Sequence, residues 1–288
     1  MKGTEDNMYY GIVTIAVFMF GIQFFCSQGY QQECGSSWKA TFINILATNL
    51  IGLPVLWAIN DFSLQYTHFT FLLATITTVN NILCTVCSLR ALGKANLSVY
   101  SLFSMLGGMV LPFCTGIFFF HETWTPGKVI CLITVILALL LTIEKGKGNG
   151  AVKYYIGVFI FNGMAGVLSK FFQALPYEKT SEAAYSVWCA LIAAGAAAVF
   201  LLFLQEHIHI TGKSLFWLTG DGLLNKVANW LLLIALVHLP VSVQYPMVTG
   251  GVIIVSTLLS YLTPKKPGKR EFVAVLLSFA GILALILL

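Results

Sequence analysis

Two short turns decide the fold that this sequence predicts. Residues 121–128 read His-Glu-Thr-Trp-Thr-Pro-Gly-Lys, and residues 263–270 read Thr-Pro-Lys-Lys-Pro-Gly-Lys-Arg. Each turn contains Pro-Gly-Lys and lies between two apolar runs, but the first turn has one Lys or Arg and the second has four. Cytoplasmic loops of membrane proteins are enriched in Lys and Arg, so the two copies of the turn are predicted to lie on opposite sides of a membrane.

The two turns belong to a longer internal repeat. The ordered matches are Ala91-Leu92 with Ala235-Leu236, Ser98 with Ser242, Gly107-Gly108 with Gly250-Gly251, and Pro126-Gly127-Lys128 with Pro267-Gly268-Lys269. The offset drifts only from 144 residues (235 minus 91) to 141 residues (267 minus 126). The series predicts a five-helix repeat at residues 1–148 and a second at residues 149–288. Because five is odd, the second repeat is expected to enter the membrane inverted.

The composition is that of a membrane protein. Of the 288 residues, 9% are charged and 58% are hydrophobic, whereas about a quarter of the residues in a soluble protein are charged. The net charge of +5 does not indicate nucleic-acid binding, because the basic residues stand singly or in short segments between apolar runs. The predicted fold class is all-α, and the surrounding partner is the lipid bilayer.

Apolar runs long enough to cross a bilayer, about 20 residues each, recur along the whole chain. The ten predicted spans are residues 8–28, 38–59, 67–89, 95–120, 125–143, 152–175, 183–204, 214–237, 240–262 and 272–288. The second span is the weakest, because Asn44, Asn49 and Pro54 interrupt it.

The basic residues are distributed unequally over the two sides of this predicted topology. The side opposite the N-terminus receives eleven of them: Lys39, Arg90, Lys94, Lys145, Lys147, Lys153, Lys213, Lys265, Lys266, Lys269 and Arg270. The side of the N-terminus receives three, namely Lys2, Lys128 and Lys179. This bias predicts that both termini face the outside.

The stretch that ends the first half resembles a known family. Residues 118–128, Phe-Phe-Phe followed by the first turn, are similar to the apolar–Glu–x–apolar–Thr turn of EamA-like members of the drug/metabolite transporter superfamily. The resemblance implies ten helices in a five-plus-five arrangement and movement of small organic solutes by alternating access. It also implies that both termini lie in the cytosol, as is usual in this family. The distribution of basic residues predicts the opposite, so the orientation of the chain in the membrane is left open. The second turn departs from the pattern, because lysines replace its glutamate.

Three charged residues lie inside predicted spans and away from the first few residues of each: Asp221, Lys170 and Lys226. An ionised group at the bilayer centre costs about 2.5–3.5 kcal/mol on insertion scales, so it normally faces a partner or a wet cavity. Lys226 is predicted either to line a transport pathway or to form a structural ion pair. Lys170 lies closer to a helix end, so its side chain is also able to extend to the membrane surface and keep its ammonium group in water. Asp221 is predicted to pair with Lys226 or with a group on another helix.

Two polar stripes correspond to each other in the repeat. The third-span stripe is Thr77, Asn81 and Thr85, and the eighth-span stripe is Asp221, Asn225 and Asn229. The spacing i, i+4, i+8 places each trio on one helix face, and both faces are expected to point inward, toward each other. The stripes are interpreted as walls of a substrate pathway, together with Lys226 and Trp230. The alternative is hydrogen bonding between helices, worth about 0.6 kcal/mol per bond.

Other polar residues within the spans are weaker candidates for the pathway. They are Gln23, Ser98, Asn162, Lys170, Ser242, Gln244 and Tyr245. Each has side-chain packing as its alternative role.

The sequence therefore predicts a secondary transporter of a small metabolite or drug-like solute. No cofactor, metal site or catalytic residue is predicted, because no phosphate-binding loop, His-Glu-x-x-His or nucleophile-elbow pattern occurs, and an enzyme is not expected. If transport is coupled to protons, Asp221 is the predicted carrier. The expected location is the cell membrane, in a bacterial plasma membrane. A lipid-carrier flippase and a non-transporting scaffold or receptor are the alternatives, and the oligomeric state is left open.

Overall fold

The computed structural model describes residues 2–94, 97–120, 125–142, 152–205, 208–238, 241–262 and 268–288. These residues form ten helices: α1 (Lys2–Cys34), α2 (Trp38–Ile59), α3 (His68–Lys94), α4 (Leu97–Phe120), α5 (Pro126–Thr142), α6 (Val152–Ala174), α7 (Glu182–Phe203), α8 (Gly212–His238), α9 (Val241–Ser260) and α10 (Lys269–Leu287). The all-α prediction is confirmed for this part of the chain. Residues 121–124 and 263–267 of the two repeated turns lie outside it.

Five of these helices are long and apolar enough to cross a membrane. They are Met8–Cys34 within α1, and the whole of α2, α3, α6 and α7. Shorter apolar stretches lie at Val99–Thr115, Met247–Ser260 and Phe272–Gly281, within α4, α9 and α10. Large apolar side chains are exposed on the outer faces, Leu72 and Phe216 among them. The chain has the make-up of a multi-pass membrane protein, because such surfaces suit lipid rather than water.

Local sequence explains where α1 ends and where two other helices begin. Gly35, with φ of 77°, follows α1 in the left-handed conformation, and its N–H donates to the Gln31 carbonyl over 2.8 Å. Ser37 precedes α2 and accepts from the Ala40 N–H over 3.2 Å. Ser181 caps α7 in the same way, accepting from the Ala184 N–H over 3.1 Å.

The helices pack in a pattern that relates the two halves of the chain. Helix α1 packs on α8 and α9, and α6 packs on α3 and α4; α2 packs on α8, and α7 packs on α3. The pairs α2 with α7, α4 with α9, and α5 with α10 also pack together. If each of the helices α1 to α5 is replaced by its counterpart among α6 to α10, and the reverse, the same set of helix pairs is obtained. The pair of α1 with α8, for example, becomes the pair of α6 with α3.

Small residues allow the closest of these contacts. A Cβ added at Gly163 of α6 would meet the Leu111 side chain of α4 at 2.7 Å. Gly107 of α4 lies against the backbone of Phe159 in α6. Glycines at these positions let the two backbones approach, as small residues do between helices in membranes.

Hydrogen bonds tie the two halves together at one end of the bundle. The Ser181 hydroxyl donates to Asn60 Oδ1 over 2.7 Å, and the Ser181 N–H donates to Gln65 Oε1 over 3.0 Å. The Trp188 Nε1–H donates to the Gln65 carbonyl over 2.8 Å. We refer to Asn60, Gln65, Ser181 and Trp188 as the Asn60–Ser181 network.

An ion pair and a cation–aromatic contact lie at the opposite end. Lys213, at the start of α8, forms an ion pair with Glu33, at the end of α1. The Arg90 guanidinium lies 4.2 Å from the centre of the Trp38 ring. Consecutive helices therefore run in opposite directions along the bundle, from α1 to α3 and from α6 to α8.

Candidate functional site

Asn81, in the middle of the third-span stripe, is exposed on the side of α3 that faces away from its apolar surface. The exposed apolar side chains of this helix include Leu72, Ile76, Val79 and Leu83. At 100° per residue these four lie about 140–180° around the helix from Asn81. The exposed amide therefore lies on the face of α3 opposite these apolar side chains.

The eighth-span stripe has the same arrangement on α8. Asn229 is exposed and Asn225 is half-buried. Both lie about 120–180° around the helix from the exposed apolar residues Phe216 and Leu223, whereas the exposed Leu215, near the start of α8, lies about 40° from Asn229. Within the described residues α3 and α8 do not pack against each other. Helix α1 packs on both α3 and α8.

The outer members of the third-span stripe make hydrogen bonds within the bundle. Thr77 is buried, and its hydroxyl lies 2.7 Å from the Tyr185 hydroxyl of α7. Thr85 donates to the Asn81 carbonyl one turn earlier, over 2.9 Å. In α8, the Asn229 amide likewise donates to the Asn225 carbonyl over 2.7 Å. Thr77 therefore contributes to helix packing. The Asn81 side chain accepts at Oδ1 from Asn80 Nδ2 over 3.5 Å.

Asp221 lies at the junction of α1, α2 and α8, and only 5% of its surface is exposed. Its Oδ1 accepts from Gln23 Nε2 of α1, and its Oδ2 accepts from Asn44 Nδ2 of α2 over 3.2 Å. Ser27 of α1 also lies near the carboxylate. We call Asp221, Gln23, Ser27 and Asn44 the Asp221 cluster. Hydrogen bonds from the two neutral amides, Gln23 and Asn44, reduce the free-energy penalty of burying this carboxylate.

Two glycines flank Asp221 and make the junction possible. A Cβ at Gly220 would meet the Cys26 sulfur of α1 at 2.8 Å, and one at Gly222 would meet the Thr48 carbonyl of α2 at 2.9 Å. Both helices therefore approach α8 closely, which brings their polar side chains within reach of the carboxylate.

Lys226 points away from Asp221, toward α2. Its Nζ donates to Asn49 Oδ1 over 3.0 Å, and its alkyl chain packs on Gly52. Five residues separate it from Asp221, which corresponds to about 140° around the helix. The described residues place no acidic group within ion-pair distance of Lys226. Asp221 therefore has partners on other helices, and the predicted alternative of a pair with Lys226 is not formed.

The weaker candidates are dispersed. Gln23 belongs to the Asp221 cluster, and Asn162 of α6 donates to the Ser104 carbonyl of α4 over 2.6 Å. Lys170 and Trp230 are half-buried. The side chains of Ser98, Ser242, Gln244 and Tyr245 lie outside the described part of the structure.

Three partners of the deep charges were not among the predicted site residues: Ser27, Asn44 and Asn49. Asn44 and Asn49 stood out in the sequence only as polar interruptions of the second span. Two amides, five positions apart, in a segment that must cross lipid were a usable signal, because such groups need partners inside the bundle. A second signal for close helix contact was the pair of glycines, Gly220 and Gly222, that flank Asp221.

Comparisons with known proteins give the fold alone. No family model matches the chain, and no curated protein matches it. A solved structure described only as "Crystal structure of protein" is similar over 96% of both chains, with a TM-score of 0.65 and 14% sequence identity. At that identity the likeness supports the arrangement of the helices and no particular activity.

Proposed function

We propose that this protein is a secondary transporter that moves a small metabolite or drug-like solute between α3 and α8 by alternating access. The observation that carries the proposal is the exposure of Asn81 and Asn229 on inward faces of two helices that are not packed together. Exposed amides opposite a lipid-facing surface favour a water-filled space within the bundle, because lipid offers amides no hydrogen bonds.

In this proposal all ten helices cross the membrane, and residues 1–148 and 149–288 form two inverted halves. The helix pairings, which are unchanged when the halves are exchanged, support this division. The opposite placement of the Asn60–Ser181 network and the Glu33–Lys213 pair supports the alternation of helix direction. Transport would then involve rocking of one half against the other, as in inverted-repeat transporters.

Lys226 is the residue that we assign to the solute. An ammonium in the middle of a span, whose Nζ donates to the Asn49 amide oxygen, attracts negatively charged or strongly polar groups. Asn225, Asn229 and Trp230 lie one turn or less from it and would contribute hydrogen bonds and an aromatic surface. We infer a solute with an anionic or polar group and an apolar body, and no catalytic role for the chain.

The same observation weighs against a non-transporting scaffold. A scaffold or receptor would fill its inward polar faces with side chains, whereas Asn81 and Asn229 are exposed. The expected location is the cell membrane, and resemblance to EamA-like proteins in the residues of the first turn agrees with it.

The test begins with a thermal-shift screen of the purified protein against metabolite classes, followed by uptake of the stabilising compounds into proteoliposomes. Lys226→Ala is expected to remove the stabilisation and the uptake. Lys213→Ala, which changes an exposed lysine of the same helix, is the matched control and should leave both unchanged. Uptake of no compound, or equal uptake by Lys226→Ala, would contradict the assignment. Flipping of lipid carriers in the same vesicles would point to the flippase alternative.

A further inference from the structure

The exposed apolar face of α3 leads into two basic residues at the end of the helix. Leu83 is the last large apolar side chain that is exposed on α3. Arg90 and Lys94 follow it by seven and eleven residues, so each lies within about 20° of Leu83 around the helix. The face that suits the acyl chains of lipids is thus continued by two positive charges.

Helix α6, which packs on α3, has the same arrangement at its start. Ile156 and Ile160 are exposed apolar side chains. Lys153 is also exposed, and it precedes Ile160 by seven residues, which places the two within about 20° of each other around the helix. The apolar face of α6 therefore also ends in a positive charge.

Two aromatic rings hold these cations at one end of the bundle. The Nζ atoms of Lys94 and Lys153 lie 5.5 Å and 5.1 Å from the centre of the Tyr154 ring. The Arg90 guanidinium lies over Trp38. Tyr and Trp are enriched at the level of the lipid headgroups, and an aromatic face attracts a cation. We call Arg90, Lys94 and Lys153 the basic patch.

The basic patch is not neutralised by the part of the chain that the structure describes. In that part no carboxylate lies within ion-pair distance of its three side chains, and Glu33, at the same end of the bundle, pairs with Lys213. The positive charges of Lys94 and Lys153 share one ring and repel each other. An anion bound between them would relieve this repulsion.

We propose that the basic patch binds the headgroup of an anionic phospholipid of the surrounding bilayer. The phosphate would lie between Lys94 and Lys153, and the acyl chains would lie along the exposed apolar faces of α3 and α6. Arg90 lies one turn before Lys94; its Nη1 donates to the Val86 carbonyl over 3.1 Å. A guanidinium has five N–H donors, so Arg90 is also able to donate to a phosphate oxygen.

A lipid fits this surface better than a soluble phosphate compound does. The three charges stand at the ends of faces that expose Leu83, Ile156 and Ile160, and a lipid matches both the charge and the apolar surface beside it. Basic residues next to the ends of membrane helices commonly bind anionic headgroups. Because α3 belongs to the first half of the chain and α6 to the second, one bound lipid would contact both halves.

The test is native mass spectrometry of the purified full-length protein in detergent. The probe is an equimolar mixture of dioleoylphosphatidylglycerol and dioleoylphosphatidylcholine, which have the same acyl chains and differ in headgroup charge. We expect the first bound lipid to be phosphatidylglycerol, with a preference of about tenfold or more. The double variant Lys94→Gln/Lys153→Gln should lower this preference to about threefold or less. Each single variant should give an intermediate value, which keeps the test decisive if the double variant does not fold.

Two variants serve as controls. Lys213→Gln removes a positive charge at the same end of the bundle, from a side chain that is paired with Glu33, and should keep the preference for phosphatidylglycerol. Lys226→Ala, which alters the proposed solute site, should keep it as well. The inference depends on a bilayer around the chain and not on transport, so failure of the transport proposal would leave the lipid preference unchanged.

Three results would overturn the proposal. The first is equal binding of the two lipids by the wild-type protein. The second is an equal loss of preference in Lys213→Gln and in Lys94→Gln/Lys153→Gln, which would show a general attraction to positive charge at this end. The third is displacement of phosphatidylglycerol by an equal concentration of sn-glycerol 3-phosphate, which would assign the basic patch to a soluble phosphate compound.

Discussion

The Asn44 amide of α2 donates to Oδ2 of Asp221 in α8 over 3.2 Å, although the two residues are 177 positions apart in the chain. Both side chains are almost fully buried. The bond therefore joins the two halves of the sequence through a charged acceptor inside the bundle. Hydrogen bonds to charged groups are stronger than those between neutral groups, typically about 1.5–3 kcal/mol.

Removing this donor tests how strongly the junction depends on it. Asn44→Ala is expected to lower the free energy of unfolding by about 1–3 kcal/mol, because a buried carboxylate loses a donor. In an Asp221→Asn background the same change should cost about 1 kcal/mol less, since the two residues interact directly. Reversible unfolding in detergent measures both values. Equal costs in the two backgrounds would show that Asn44 acts without Asp221.

Gly222 and Gly195 form a matched pair of glycines. Gly222→Ala would place a Cβ 2.9 Å from the Thr48 carbonyl, and a backbone atom cannot move aside as a side chain does. The variant is expected to lower the Tm by several degrees. Gly195 of α7 has open space around it, so Gly195→Ala should be neutral or stabilising by up to about 1 kcal/mol. Equal effects of the two changes would contradict the close contact of α8 with α2.

Cysteine labelling distinguishes water from lipid around α3. In a background in which the seven native cysteines are replaced, Asn81→Cys is expected to react with a hydrophilic thiol reagent in intact membranes. Leu83→Cys, exposed on the opposite face, should remain unreactive because lipid keeps the thiol protonated and the reagent away. Gel filtration verifies that both variants fold. Equal labelling would remove the main support for an aqueous pathway at Asn81.

The ion pair between Lys213 and Glu33 is expected to matter little for stability. The Lys213 side chain is 64% exposed, and exposed ion pairs contribute about 0–1 kcal/mol. Lys213→Ala should therefore leave the Tm within about 2 °C of wild type. Thermal unfolding at low and high salt checks this expectation, and a large loss at low salt only would show that the pair is stronger than its exposure implies.

Ser181 and Ser37 are both helix caps, but only Ser181 also bonds across the halves. Ser37→Ala should cost about 1 kcal/mol through the lost cap. Ser181→Ala should cost about 0.6 kcal/mol more, because the bond to Asn60 is lost as well. The difference between the two variants in unfolding experiments isolates the contribution of the Asn60–Ser181 network. A difference of zero would mean that the network does not hold the halves together.

The sequence was sufficient to predict the helices because their signals are local. The predicted span at residues 38–59 coincides with α2, and that at residues 152–175 ends one residue beyond α6. Long apolar runs, with Ser37 and Gly35 at their boundaries, determine these limits without reference to the rest of the chain.

The contacts of the site could not be predicted in the same way. Helical periodicity predicted polar faces on α3 and α8, and Asn81 lies opposite the exposed apolar side chains Leu72, Ile76, Val79 and Leu83 of α3. Periodicity within one helix contains no information on its neighbours, however. It gave neither the bond of Thr77 with Tyr185 nor the partners of Asp221 on α1 and α2. Those depend on how helices from distant parts of the chain approach one another.

The exchange of the two halves relates Thr77 to Asp221, and their neighbours follow: Thr77 bonds to Tyr185 of α7, and Asp221 to Asn44 of α2. If the protein consisted of two identical inverted halves, its inward-open and outward-open conformations would be related by a two-fold rotation about an axis in the membrane plane and would have equal free energy. An unloaded protein would then occupy both in equal amounts. A carboxylate at one position and a neutral hydroxyl at the other removes that equality, because only one half must keep a charge satisfied as it moves. This difference would then contribute to a resting preference for one side of the membrane, and Asp221→Thr would bring the two populations closer to parity.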